Sequence, residues 1–242
     1  MTFEGNSHAP VWAPDGESLA VSSDREGPQA NLWLVHADGS GKPQKLTTSA
    51  NHQDPASFSP DGRLLAYGEI SGGDLNCSLW IVHLAEGNRV EPFLQTKFGA
   101  HSPAISPNGK WIAYTSDESG RAEVYVQRFP GGGGRYQVSI GGGGEPLWRP
   151  DGREIYYRNG DAVMSAAVTA EGGFSTGKPS LLFHGNYVPE QGFGHPNWDI
   201  SRDGKRFMMM QPYDPPQKKP RQIEVVVNWF EELRRVNRGA GH

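Results

Sequence analysis

The chain has 242 residues and a formal net charge of −4, and 36% of its residues are hydrophobic. This length suits one large all-β domain or two small ones. The 32 glycines and 19 prolines would interrupt long helices and argue against a helical bundle. The acidic balance argues against a general binder of nucleic acid or anionic membranes, because both need a concentrated cationic surface.

A seven-residue motif that ends in Asp-Gly or Asn-Gly returns five times along the chain, at a spacing of about 45 residues. Its copies are Pro10–Gly16, Ala56–Gly62, Pro103–Gly109, Pro146–Gly152 and Trp198–Gly204. Pro-Asp-Gly between apolar stretches favours a tight turn, because proline fixes φ and glycine supplies the positive φ. The repeat therefore predicts five similar units, each containing a turn between two strands.

Three further apolar or alternating runs in most units predict the remaining strands. The second strands are predicted at 18–21, 64–67, 111–114, 154–157 and 206–210, the third at 32–35, 79–82, 124–127, 163–166 and 223–227, and weaker fourth strands at places such as 45–47 and 181–183. Four short strands in about 45 residues form the unit of a β-propeller blade. We therefore predict an all-β propeller of about five four-stranded blades in a single domain, 1–242, with blades at about 8–48, 52–95, 99–140, 144–184 and 195–230.

The pattern of Pro10–Gly16, followed by a Leu/Ile-Ala-Tyr strand and then a Trp/Tyr-Val strand, resembles the TolB-like, WD40-like β-propeller repeat of bacteria. The resemblance covers about residues 8–230. Similar blades occur in TolB, in the propellers of prolyl-oligopeptidase-type peptidases and behind bacterial serine/threonine kinases, so it implies the fold more strongly than a function. The ending, Ile223–Arg235, resembles the last strand and terminal helix of the kinase-linked propellers, and its apolar spacing predicts a helix at about 228–237.

Two arrangements of the five blades remain open at this stage. A closed five-bladed ring, with Thr2–Glu4 as the missing outer strand of the last blade, predicts a monomer. The rival is a fragment of a six-bladed or larger ring, whose open ends would associate.

The sequence contains none of the common enzyme motifs that would assign a catalytic residue. The sequence has no Gly-x-Ser-x-Gly elbow, kinase signature, His-Glu-x-x-His or EF-hand loop. The glycine runs at 131–134 and 141–144 lack a following Gly-Lys-Ser/Thr, and we interpret them as flexible loops.

The repeat register places polar residues near the start of each first strand, where the strands line the channel. They are His8, Asp54, His101, Glu145 and His195. Imidazoles and carboxylates that converge at one mouth of the channel could hold a divalent cation or a small polar ligand, or act as acid and base. The alternative, which the rarity of functional clusters favours, is that they cap the strands and solvate a wet channel. Apolar residues further along these strands, Trp12, Phe58, Ile105, Trp148 and Ile200, are predicted to form the core between blades.

Two classes of function follow from these observations. The first is a non-catalytic binding or scaffold module for a protein or peptide partner, in the role of sensor in a kinase-linked or envelope protein. The alternative is a small-molecule or metal-assisted enzyme that uses the channel mouth. We predict no nucleic-acid partner, no membrane insertion and no cofactor other than the divalent cation. The sequence has no signal or apolar span and leaves the localisation open: we expect a cytoplasmic location for the chain as written, and an extracytoplasmic one if it belongs to an anchored protein.

Overall fold

The computed structural model describes residues 5–71, 76–131, 133–170, 173–188 and 196–212. The chain divides into two units, Met1–Gln211 and Pro212–His242; apart from Pro212, the second lies outside the described residues, together with the predicted strand at 223–227 and the predicted helix at 228–237. The strand predicted at Thr2–Glu4 is also outside them. No helix in the described part of the chain is long and apolar enough to cross a membrane.

The first unit is built from consecutive antiparallel sheets, one for each copy of the repeat. Blade 1 contains β1 (Ser7–Trp12), β2 (Ser18–Ser23), β3 (Asn31–His36) and β4 (Gln44–Lys45). Blade 2 contains β5 (His52–Phe58), β6 (Leu64–Ile70), β7 (Cys77–His83) and β8 (Arg89–Leu94), with a 3-10 turn at Leu84–Glu86. Blade 3 contains β9 (Ala100–Ile105), β10 (Trp111–Ser116), β11 (Glu123–Arg128) and β12 (Tyr136–Gln137).

The fourth and fifth sheets depart from this pattern. Blade 4 contains β13 (Gly144–Trp148), β14 (Glu154–Asn159), β15 (Ala162–Thr169), β16 (Ser175–Thr176) and β17 (Ser180–His184), and both β16 and β17 pair with β15. The described part of blade 5 contains β18 (Trp198–Ile200) and β19 (Phe207–Met209). The prediction of an all-β propeller is confirmed, and blades 1 to 3 have the predicted four strands.

Each blade packs its face on the next, and the first strand of each blade is innermost. Strand β1 lies against β5, β5 against β9, and β9 against β13. A buried cluster with Ala20 and Leu32 from blade 1 and Leu65 and Tyr67 from blade 2 fills one of these interfaces. Burial of such side chains contributes about 1.5–3 kcal/mol each, so the interfaces between blades hold the ring of inner strands in place.

The repeated turns also contact one another around the axis. In each turn the glycine has a φ of +67° to +72°, a region that favours glycine. An ideal Cβ on Gly62 would lie 3.8 Å from Pro14 Cδ of the preceding turn, and one on Gly204 would lie 3.4 Å from Pro150 Cδ. An ideal Cβ on Gly16 would lie 4.0 Å from Nη2 of Arg202, which belongs to the turn of blade 5. The fifth turn therefore reaches back to the first.

Candidate functional site

A bulge interrupts the inner strands close to the mouth of the channel. In blades 1, 3 and 4 the residue at the same repeat position is left-handed, with φ of +49° at Ala9, +53° at Ser102 and +52° at Glu145. The strand register shifts at the same place. A bulge changes the direction of the neighbouring side chains, and a left-handed residue other than glycine costs about 1–2 kcal/mol.

Blade 2 differs because proline occupies this position. The ring of Pro55 fixes φ near −65°, so the residue cannot become left-handed. Strand β5 consequently stays in register from His52, which pairs with Ile70, through Pro55, which pairs with Tyr67, and shifts only afterwards. Two side chains before the bulge, His52 and Asp54, lie side by side because alternate residues of a strand share a face.

His8 from blade 1 completes a cluster with these two residues of blade 2. Its Nε2 lies 3.2 Å from Asp54 Oδ1 and 3.3 Å from His52 Nε2. His52 Nε2 lies 3.2 Å from both carboxylate oxygens of Asp54. Asp54 is 1% exposed, whereas the side chains of His8 and His52 are 43% and 30% exposed. The cluster thus has a buried anion at its base and two imidazoles at the surface.

The two histidines change the electrostatics of Asp54. Burial acts to raise the pKa of this carboxyl, but hydrogen bonds from His52 and His8 and the positive charge of their rings outweigh it, and the pKa falls from 3.8 to about 2. The hydrogen bond to Asp54 in turn raises the pKa of His52 above 6.5. Asp54 is therefore a carboxylate at neutral pH.

A buried amide holds β5 in place behind the cluster. Gln53 is 2% exposed and points to the opposite face of the strand. Its Nε2 donates to Glu69 Oε2 at 2.6 Å, its Oε1 accepts from the Thr47 hydroxyl at 2.5 Å, and its backbone carbonyl accepts from the Ser22 hydroxyl at 2.6 Å. Because these partners belong to both blades, the network fixes His52 and Asp54 relative to blade 1.

The structure brings together two of the five predicted mouth residues, His8 and Asp54. Among the described residues, His8, His52 and Asp54 form a group whose ligand atoms all lie within 4.8 Å of one another. Sequence reasoning missed His52, although its position two residues before Asp54 on a predicted strand was the available signal.

The other predicted mouth residues have different surroundings. His101 Nδ1 lies 3.2 Å from Ser102 Oγ in blade 3. Glu145 is 2% exposed, and its Oε2 accepts a hydrogen bond from the backbone N–H of Asn197 at 2.9 Å. Glu145 thus holds the inner strand of blade 5. His195 lies outside the described residues.

A cavity of about 430 Å³ lies further along the inner strands. Its lining comes from blades 2 to 5 and includes Ala56, Pro60, Ala104, Pro107, Leu147 and Pro150. Ile105 and Trp148 are buried as predicted, but the prediction is wrong for Trp12, which is 57% exposed. Inner-strand residues pack on the preceding blade, as Phe58 does on blade 1, and the described part of the blade that would cover Trp12 is only a two-stranded sheet.

The chain is similar in sequence to curated bacterial proteins. It is 28% identical over 169 residues to an uncharacterised protein, Atu1656, of Agrobacterium fabrum. The alignment covers 65% of this chain and 56% of that protein. It is 27% identical over 180 residues to the Tol-Pal system protein TolB of Francisella tularensis, which covers 73% of this chain and 40% of TolB. The chain thus spans about half or less of these relatives. No family model matches it.

Solved structures share the fold. A protein from Agrobacterium tumefaciens assigned to TolB aligns with a TM-score of 0.64 and 21% identity, over 86% of this chain and 76% of that one. An oligogalacturonate lyase in complex with manganese aligns with a TM-score of 0.59 and 15% identity, over 84% and 58%. The fold and the inner-strand repeat define a β-propeller protein. Its relatives in sequence and in structure include TolB and TolB-like propeller proteins.

Proposed function

We propose that this chain is a binding module that receives an extended segment of a protein partner at the mouth of its channel. The observation that carries the proposal is the pair of partly exposed imidazoles, His8 and His52, held over buried Asp54. Side chains fixed before binding lose little conformational freedom when a partner arrives. The carboxylate and imidazole groups offer hydrogen bonds and charge to a basic or polar segment.

The relatives support a protein partner. The curated TolB proteins carry the name of the Tol-Pal system, which describes a set of proteins that work together. The same kind of module would serve as the sensing part of a kinase-linked or envelope protein, as the resemblance of its repeats implies. Propellers suit this role because their rigid blades present loops and a channel mouth as one recognition face.

Selection of displayed random peptides on the purified chain, with EDTA present, tests the proposal. Selected peptides are then titrated by fluorescence anisotropy against wild type, His8→Ala and His36→Ala. His36 ends β3 and pairs with Ser18 just after a repeat turn, so it is a matched histidine at the other end of the blade. We expect a dissociation constant at least about tenfold higher for His8→Ala and little change for His36→Ala. Equal affinity for wild type and His8→Ala would refute binding at the mouth.

A second candidate function is an enzyme that uses the same mouth. A carboxylate that orients an imidazole, as Asp54 does with His52 at 3.2 Å, is the arrangement of a general base. One of the structural neighbours is an oligogalacturonate lyase in complex with manganese. The test is to incubate the chain with oligogalacturonate and Mn²⁺ and to follow the unsaturated product. Turnover that Asp54→Asn abolishes would favour the enzyme, and a rate equal to that of buffer would remove this substrate.

A further inference from the structure

We infer that His8, His52 and Asp54 form a binding site for one divalent transition-metal ion, with zinc as the best fit. The inference concerns the same three side chains as the proposed partner site, but it depends only on the positions of their ligand atoms. Two imidazole nitrogens and one carboxylate oxygen are a donor set that Zn²⁺ uses in proteins. Hard ions such as Mg²⁺ prefer oxygen ligands.

The spacing of the donor atoms matches one face of a coordination tetrahedron. At metal–ligand distances of about 2.0–2.1 Å, two ligands of a tetrahedral ion lie about 3.3 Å apart. The three separations in the cluster are 3.3 Å between the Nε2 atoms, 3.2 Å from His8 Nε2 to Asp54 Oδ1 and 3.2 Å from His52 Nε2 to the Asp54 carboxylate. An ion on this face would meet all three donors without a large movement of the strands.

Without a metal ion, each oxygen of the Asp54 carboxylate can accept a hydrogen bond from one histidine. Each Nε2 offers one direction in the plane of its ring, which carries either an N–H or a lone pair. In that arrangement the two Nε2 donors lie 3.3 Å apart with no hydrogen bond between them. If one nitrogen donates to the other, that nitrogen no longer donates to the carboxylate. A cation between the three groups uses both lone pairs and the negative charge at the same time.

The surrounding structure prepares this site. Asp54 is buried and fixed by the register of β5, and the Gln53 network ties that strand to blade 1. His8 comes from the neighbouring blade, immediately before the left-handed Ala9. Ligands supplied by two packed strands are positioned more accurately than ligands on loops. Bound metal would therefore link blades 1 and 2.

The site would keep an open coordination position. Three protein ligands with a fourth position for water or a ligand are typical of zinc sites that do more than stabilise a fold. The side chains of His8 and His52 are 43% and 30% exposed, so the imidazole side of the cluster is open to an entering ion. A carboxylate or imidazole from an incoming molecule would be the natural fourth ligand.

Isothermal titration of the tag-free, EDTA-treated chain with ZnCl₂ at pH 7.5 tests the inference. We expect one ion per chain, and a dissociation constant at least about a hundredfold higher in His52→Ala and in Asp54→Asn, because each removes a direct ligand. His101→Ala is the matched control, since His101 also begins an inner strand but is not part of the group, and its affinity should stay within about threefold of wild type.

Substitution with Co²⁺ gives a second readout that reports the ligands directly. A tetrahedral Co²⁺ site absorbs visible light strongly, and we expect this absorption in wild type and His101→Ala but not in His52→Ala. Circular dichroism of each variant checks that the chain is folded. If a variant does not fold, His8→Ala replaces it, because the His8 side chain is partly exposed. The inference is overturned if wild type shows no saturable binding, or if zinc binds equally well after the loss of His8 or His52.

Discussion

The two halves of the channel mouth share a strand register but place their polar residues differently. On the side of blades 1 and 2, His8, His52 and Asp54 converge within hydrogen-bond distance. On the side of blades 3 and 4, His101 contacts Ser102 of its own strand, and Glu145 turns to the backbone of Asn197 in blade 5. The same repeat thus builds a cluster on one side and a link between blades on the other.

Pro55 distinguishes blade 2 from blades 1, 3 and 4. Ser102 and Glu145 occupy the corresponding position with positive φ, and each begins a bulge there. Proline forbids this conformation, so β5 continues in register for another residue. The pairing of the inner strand of blade 2 therefore extends one repeat position further before its bulge than the pairing of the inner strands of blades 3 and 4.

The largest effect should come from making blade 3 resemble blade 2. In Ser102→Pro, φ would have to change from +53° to about −65° in a residue that is 1% exposed, and we expect a loss of about 3–4 kcal/mol in the free energy of unfolding. Urea denaturation measures it. The control, Ser102→Gly, accepts positive φ and should lose much less. Equal losses in the two variants would show that the left-handed backbone is not the cause.

The network behind the cluster should be the next most sensitive part. Gln53→Ala leaves the buried Thr47 hydroxyl without its acceptor and Glu69 Oε2 without the Gln53 donor, and we expect a loss of about 2–3 kcal/mol. Gln137→Ala is the control, because Gln137 lies exposed on β12 and should change stability by less than about 0.5 kcal/mol. Similar urea midpoints for both variants would contradict the structural role of Gln53.

The repeat made the fold predictable, while the site depended on details that the repeat hides. Pro-Asp-Gly turns and apolar runs are local signals, and they identified the blades described here. His8 and Asp54 were found because both lie six residues before the proline of the repeated turn. Glu145 lies one residue later in its repeat, at the position of the bulge, and therefore faces blade 5. His52 was missed because its contact with His8 depends on how two blades pack.

The third strands of blades 1 and 3 begin with different residues, and only the one in blade 3, Glu123, should make the stability of the fold depend on pH. Burial acts to raise the pKa of Glu123, but hydrogen bonds from Ser139, Arg121 and the Gly142 N–H outweigh it, so the pKa is lowered from 4.5. A carboxyl with a lowered pKa stabilises the fold above its unfolded pKa and loses that contribution as the pH falls. In blade 1 the corresponding acceptor is Asn31, which does not titrate.

We therefore expect the stability of wild type to fall more steeply than that of Glu123→Gln between about pH 5 and pH 3. Urea denaturation at several pH values measures the difference. Glu26→Gln, at an exposed carboxylate paired with Lys45, is the control and should follow wild type. Parallel curves for wild type and Glu123→Gln would show that Glu123 titrates alike in the folded and unfolded chain.

The smallest effect on stability should come from the cluster itself in the absence of metal. His8 is partly exposed, and ion pairs at such positions contribute about 0.2–1 kcal/mol, so His8→Ala in EDTA should cost no more than this. With zinc present, wild type gains stability by mass action, because the ion binds the folded chain, and His8→Ala does not gain. Thermal melts with EDTA and with ZnCl₂ measure both terms. If zinc raised the melting temperature equally in His8→Ala and in wild type, the ion would bind elsewhere. The three donors act together only when His8 of blade 1 faces the inner strand of blade 2.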